Sequence, residues 1–195
     1  MRGALSFSAA HESVAREHAS GPQPVYTIGH STRTILEFVD LLRIVDIEWV
    51  VDIRSVPRSR NNPQFNLDML PHELSSWQIG HTQIPELGGL RKKSRTVPPD
   101  VNAFWTNQSF HNYADYALSG EFHLGFSRLL ELSQDRRCAI MCSEAVWWRC
   151  HRRIVADYLL HGATPVFHLM APARVESATL TKAAMAQGDG LVYPA

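Results

Sequence analysis

Apolar positions along the chain alternate between short continuous runs and stripes spaced for helices. The run PVYTIGHST is rich in β-forming residues and stops at Gly29. The following RTILEFVDLLRIV places Ile35, Phe38, Val39, Leu41, Leu42 and Val45 on one helical face, with Ser31 or Thr32 as the expected N-cap. IEWVVDI is apolar on both faces until its end, the pattern of a parallel strand buried between helix layers. RSVPRSRNNPQF is turn chemistry, NLDMLPHELSSWQI returns to helical spacing, and GHTQIPELGGLRKKSR reads as a short strand running into a glycine-containing loop. From Phe110 to Leu132 the spacing is helical but interrupted at Ser119-Gly120, which predicts a kinked helix or two short ones. RCAIMC is a buried strand, RCHRRIVADYLLHG a helix closed by Gly162, and TPVFHLM a last strand.

Alternation of strands and helices predicts a single α/β, Rossmann-like domain with a mostly parallel sheet, spanning residues 24–171. The segment 172–195 carries a weak helical pattern and reads as a loosely packed tail, while residues 1–23 end in a Gly-Pro-Gln-Pro breaker and read as a mobile extension with room for a short helix at 9–18. Ligands of such sheets lie beyond the C-terminal strand ends. Three polar clusters fall there: His30-Ser31-Thr32, Asp52 through Arg60, and Cys142-Ser143-Glu144.

Composition narrows the partners. With 195 residues, 45% apolar and 19% charged, the chain fits one soluble domain, and no apolar run reaches the roughly 18 residues of a membrane helix. Positive and negative side chains balance at 19 each, so an anion site must be local rather than a global basic field. Three cysteines are too few for a secreted disulfide scaffold and there is no signal-peptide core, so the expected compartment is the cytoplasm.

The densest chemistry lies in MCSEAVWWRCHRR, residues 141–153. Cys142 ends a strand and Cys150 is expected to open the next helix, where free amides, the helix dipole and Arg149, His151, Arg152 and Arg153 favour a thiolate. Cys138, inside the strand, reads as core. Glu144 is either an acid/base group or an arginine partner. Arg54, Arg58, Arg60, Arg149 and Arg152 are suited to phosphate or carboxylate oxygens. A zinc site from Cys142, Glu144, Cys150 and His151 matches no common spacing, and adjacent helical residues point about 100° apart, so no metal and no cofactor is assigned. Gly88-Gly89 reads as a plain turn or a close backbone approach, the basic stretch Arg91, Lys92, Lys93 and Arg95 as a solvated loop or nucleic-acid contact, and Trp147-Trp148 as core cover or a stacking platform.

YTIGHST, VVDIRSVPRSR, PELGG, the Cys-Ser-Glu to Cys-His-Arg stretch and HG…VFHL together resemble the bacterial and archaeal domain-of-unknown-function family 488, over roughly residues 24 to 170. Trp147 stands where that family often has proline. The resemblance implies a compact α/β domain and no particular reaction.

Two readings follow from the residues. The first is an enzyme acting on a phosphate-bearing substrate, a nucleotide or nucleic acid. Cys142 is its candidate nucleophile, Glu144 and His30 its acid/base groups, and Ser31, Asp52, Arg54, Ser55, Arg60, Cys150, His151 and Arg152 its binding set. The second is a non-catalytic module holding a nucleotide, nucleic acid or metal on the same rim. A reversible Cys142–Cys150 disulfide is a further alternative.

Overall fold

The computed structural model describes residues 22–195, so the extension expected at 1–23, with its helix at 9–18, lies outside the described residues except for Pro22 and Gln23. The chain runs β1 (Val25–Gly29), α1 (Ile35–Arg43), β2 (Trp49–Asp52), α2 (Leu70–Ser75), β3 (Gly80–Gln83), α3 (Gln108–Ala117), α4 (Gly120–Asp135), β4 (Cys138–Cys142), α5 (Arg152–His161) and β5 (Val166–Ala171). Three further strands close it: β6 (Arg174–Ser177), β7 (Met185–Gln187) and β8 (Gly190–Val192). One six-stranded sheet has the order β3-β2-β4-β1-β5-β6, parallel except for β6, and helices cover both faces. This is the α/β architecture with a mostly parallel sheet that the alternation of patterns predicted.

Strand alternation decides which residue serves which face. Val51, Ile53, Cys138 and Ile140 join Tyr113, Phe122, Leu129, Ile154 and Leu159 in one core, under α3 to α5. Tyr26, Ile28, Val50, Ala139 and Met141 join Phe38, Leu42, Phe65, Leu70 and Leu74 in the other, under α1 and α2.

Helix ends follow local chemistry. Thr34, rather than Ser31 or Thr32, caps α1, because its hydroxyl accepts from Glu37 N–H while the Glu37 carboxylate returns to the Thr34 amide. The break at Ser119-Gly120 separates two helices, with Ser119 accepting from the Phe122 amide at the start of α4. The tail departs from its weak helical pattern. β6 pairs with β5, β7 pairs with β8, and Leu191, Val192 and Tyr193 are buried. Tyr193 donates to Asp157 and its amide donates to Asn102, so long-range polar contacts override local propensity. No helix among the described residues is long and apolar enough to cross a membrane.

Candidate functional site

β2, β4 and β1 are adjacent at the sheet centre, with Asp52 beside Met141 and Cys142 beside Gly29. Alternation turns Asp52, with its Arg54 pairing, toward α1 and α2 and Cys142 toward α3 to α5, while Arg54 still borders the cavity that the cysteines line.

On the α1 and α2 face, Arg54 is locked. Its Nε and Nη2 donate to Asp52 at 2.9 and 2.6 Å, and Nη2 also donates to the Phe65 carbonyl at 2.7 Å. Burial would raise the Asp52 carboxyl, but the hydrogen bonds and charge of Arg54 outweigh it and hold the group below its usual range. His30 Nδ1 donates to the Ser31 carbonyl, which leaves Nε2 as an acceptor facing Arg54 Nη1 at 3.2 Å, and the ring stacks on Phe65. Burial lowers His30 to about 4, so it is neutral near pH 7. The set is a buried polar brace whose donors and acceptors are already committed. Ser31 ties β1 to β4 through its amide and the Ser143 carbonyl.

On the α3 to α5 face lie two cysteines and His151. Cys142 continues the alternation of Cys138 and Ile140 toward this side, and the chain turns through a 3-10 segment, Trp147–Arg149, before α5. Cys150 is extended (φ −126°, ψ 146°) and the helix begins at Arg152. The helical divergence expected of Cys150 and His151 therefore does not apply. Cys142 Sγ lies 4.0 Å from His151 Nδ1 and Cys150 Sγ lies 3.7 Å from it; the three ligand atoms all fall within 4.8 Å of one another.

The tautomer of His151 follows from its other nitrogen. Nε2 is 3.0 Å from the Ile53 carbonyl, which can only accept, so Nε2 carries hydrogen and the Nδ1 lone pair faces the two sulfurs. Gly89 makes room for this: a Cβ there would stand 2.3 Å from His151 Nδ1. Gly88 likewise admits the Ser55 hydroxyl, which accepts from the Leu90 amide at 2.9 Å. The Tyr113 ring lies 4.9 Å from the His151 ring, and its hydroxyl is spent on the Leu87 carbonyl.

Arg152 is 1% exposed and, among the described residues, has no carboxylate partner. Its Nε donates to Cys150 Sγ at 3.3 Å and its Nη2 to the Glu144 carbonyl at 2.5 Å. Burial alone would raise the Cys150 thiol, but its coupling to the neighbouring Cys142 and the Arg152 guanidinium outweigh burial and bring it down. Cys142, coupled to Cys150 and itself buried, is pushed up.

These residues floor a cavity of about 300 Å³ lined by Arg54, Ser55, Val56, Gly89, Leu90, Ser109, Phe110, Cys142, Ser143, Glu144, Arg149, Cys150 and His151. Of the arginines expected to converge, Arg149 is exposed and lines it, and Arg54 contributes a wall while paired with Asp52. Arg152 is turned to Cys150 behind the lining, and Arg58 and Arg60 are exposed outside it. His30, Ser31 and Asp52 are also outside the lining, whereas Ser55 and Glu144 are part of it. Gly89, Tyr113 and the Ile53 carbonyl were not singled out as supports of His151; only the Gly-Gly pair carried a signal, as a place of close approach. Trp147 stacks on His168 and donates to Glu176, covering the sheet, while Trp148 is exposed.

A family model described as "Domain of unknown function DUF488" matches residues 34–159, a span that holds the whole cavity lining. Neither a curated protein nor a solved structure matches the chain.

Proposed function

Since the chain belongs to the DUF488 family, whose description records no reaction, the chemistry of the cavity is the guide, and we propose a thiol-dependent enzyme acting on a small anionic substrate. The substrate class is phosphate- or carboxylate-bearing, and nucleotides fall within it. The observation that carries this reading is the buried Arg152 guanidinium, whose Nε faces Cys150 sulfur instead of a carboxylate. An uncompensated buried charge is costly, and a thiolate at Cys150 supplies the compensation.

In this reading Cys150, rather than the Cys142 expected from sequence, is the nucleophile. Its sulfur attacks the electrophilic atom of the substrate and forms a covalent bond to it as the leaving group departs. Cys142 and the exposed Glu144 line the same cavity, and the proton that His151 takes from the Cys150 thiol is the one handed to that leaving group. His151, hydrogen on Nε2, presents Nδ1 to both sulfurs as the acceptor for a thiol proton. The start of α5, two residues beyond Cys150, adds the positive end of its dipole. Arg149 gives the mouth a cation, and Val56, Leu90 and Phe110 offer apolar surface to the rest of the substrate.

The test requires no knowledge of the substrate. The reduced chain, with chelator present, is alkylated with anionic iodoacetate and with neutral iodoacetamide, and the modified cysteine is read by peptide mass spectrometry. Modification is expected at Cys150 first, with iodoacetate favoured relative to a free thiol, and Arg149→Gln should abolish that preference. Equal labelling of Cys142 and Cys150, or disfavoured iodoacetate, would sink the proposal.

A further inference from the structure

The same three atoms that make a nucleophile also form a chelating set. We propose that Cys142 Sγ, Cys150 Sγ and His151 Nδ1 bind one thiophilic divalent cation, with Zn²⁺ the best match, leaving a fourth coordination position open to the cavity. Tetrahedral zinc with ordinary Zn–S and Zn–N bonds sets sulfur-to-nitrogen edges of about 3.6 Å. The two sulfur-to-nitrogen edges here are 4.0 and 3.7 Å and all three ligand atoms lie within 4.8 Å of one another, so side-chain adjustment of the two thiols closes the set on an ion.

Three further features fit a metal. His151 already donates its remote nitrogen to the Ile53 carbonyl, the outer contact that ordinarily fixes the tautomer and ring plane of a metal-bound histidine. Arg152 donates to Cys150 sulfur, which moderates the charge of a coordinated thiolate. All three ligands line the 300 Å³ cavity, so the vacant position faces the space where a small molecule enters. The donor set, two sulfurs and an imidazole with no oxygen within the cluster, disfavours Mg²⁺ and Ca²⁺, which take oxygen ligands.

Charge accounting gives the loaded site an anion preference. Zn²⁺ with two thiolates is neutral, and the buried Arg152 then leaves the site with a net positive charge. Hydroxide or an anionic ligand at the fourth position would neutralise it. Binding releases to solvent whatever thiol protons the two cysteines carry and forms two Zn–S bonds and one Zn–N bond. Neither sulfur is then free to attack, so the metal-loaded chain is the form closed to thiol chemistry. That last consequence rests on the thiolate reading; the metal site itself does not.

The experiment is a Co²⁺ titration of the full reduced chain, followed by displacement with Zn²⁺. One equivalent should bind, with sulfur-to-cobalt charge-transfer absorption and the intense visible bands of a tetrahedral ion, and Zn²⁺ should bleach both. Cys142→Ser and Cys150→Ser should each lose the two-thiolate spectrum, whereas Cys138→Ser should keep it, because Cys138 lies four residues back along β4 within the core. His151→Ala should keep the sulfur band but bind more weakly. Thermal melts of each variant identify loss of fold, and protection of wild-type Cys142 and Cys150 from alkylation by Zn²⁺ provides a second readout without substitution. No charge-transfer band in the folded wild-type chain, or a band that survives loss of Cys142 or Cys150, overturns the metal site. Metal binding without preferential Cys150 alkylation in chelator would leave the metal site standing and remove the nucleophile, and the reverse result would do the opposite.

Discussion

Arg152 and Cys150 stand as a buried cation and the sulfur that answers it, Nε to Sγ at 3.3 Å, in the place where a protein interior ordinarily supplies a carboxylate. A hydrogen bond to a charged group is worth about 1.5–3 kcal/mol, and each 1.4 kcal/mol is about a tenfold change in an equilibrium. Arg152→Gln, which keeps a donor but removes the charge, should therefore lower the ionisation equilibrium constant of the Cys150 thiol by about ten- to a hundredfold. The alkylation rate of Cys150 in metal-free protein checks this. An unchanged rate in a folded variant would mean that the guanidinium does not stabilise the sulfur.

Gly89→Ala places a methyl group where His151 Nδ1 now lies, at 2.3 Å, and the ring must swing away from both sulfurs and from the Ile53 carbonyl. Overpacking of this kind costs about 1–3 kcal/mol. The expected result is a folded but less stable chain that has lost tight Co²⁺ binding. Gly120→Ala, at a position with nothing within 4 Å, is the control and should leave metal affinity and fold intact. Equal behaviour of the two variants would refute the role of Gly89.

Asp52→Asn removes the counter-charge of the buried Arg54. Breaking such a pair costs about 3–5 kcal/mol, which for a chain of this size lowers Tm by roughly 10 °C. Below the new Tm, Cys150 should still be alkylated ahead of Cys142, because Asp52 lies outside the cavity lining and the contacts of Cys150 run to His151 and Arg152. A variant of wild-type stability that has lost Cys150 reactivity would show the opposite division of labour.

Acid stability should depend on His168. Burial lowers its pKa from 6.5 to about 4, with its ring stacked on Trp147 and hydrogen-bonded to Thr27. The unfolded chain takes up this proton below pH 6.5 and the folded chain does not until near 4, so stability is full above 6.5 and falls as pH drops between those values. The loss amounts to about 3 kcal/mol across that window. His30, lowered to about 4 by burial, adds to the slope in the same direction. Denaturant unfolding at successive pH values should show a shallower decline for His168→Gln; a slope identical to wild type would exclude this residue as the source.

The sheet and its helices were legible because VVDI and CAIM are apolar on both faces and because Phe38, Leu42, Leu70 and Leu74 recur at helical spacing. The tail was not legible, since Tyr193 is held by Asp157 and Asn102, contacts with no local signature. Within the site, residue types pointed to the thiols and His151. Sequence order did not show that Asp52, ending β2, and Cys142, ending β4, belong to opposite faces. The phase of each strand fixes that, and phase is invisible until the register is known. The extended conformation of Cys150, which brings its sulfur beside His151, was likewise hidden by an expected helix start two residues too early.

The strand order also bears on when the chain acquires its chemistry. β4 inserts between β1 and β2, so Gly29 and Cys142 pair across more than a hundred intervening residues. Contacts of such sequence separation form late in folding, after local helices and turns. Until β4 docks, His151 has no Ile53 carbonyl against which to set its ring, and Gly89 has nothing to accommodate. The unfolded chain carries three ordinary thiols, and the setting proposed to single out Cys150 is assembled only when β4 docks between β1 and β2, so Cys150 labelling would report that docking.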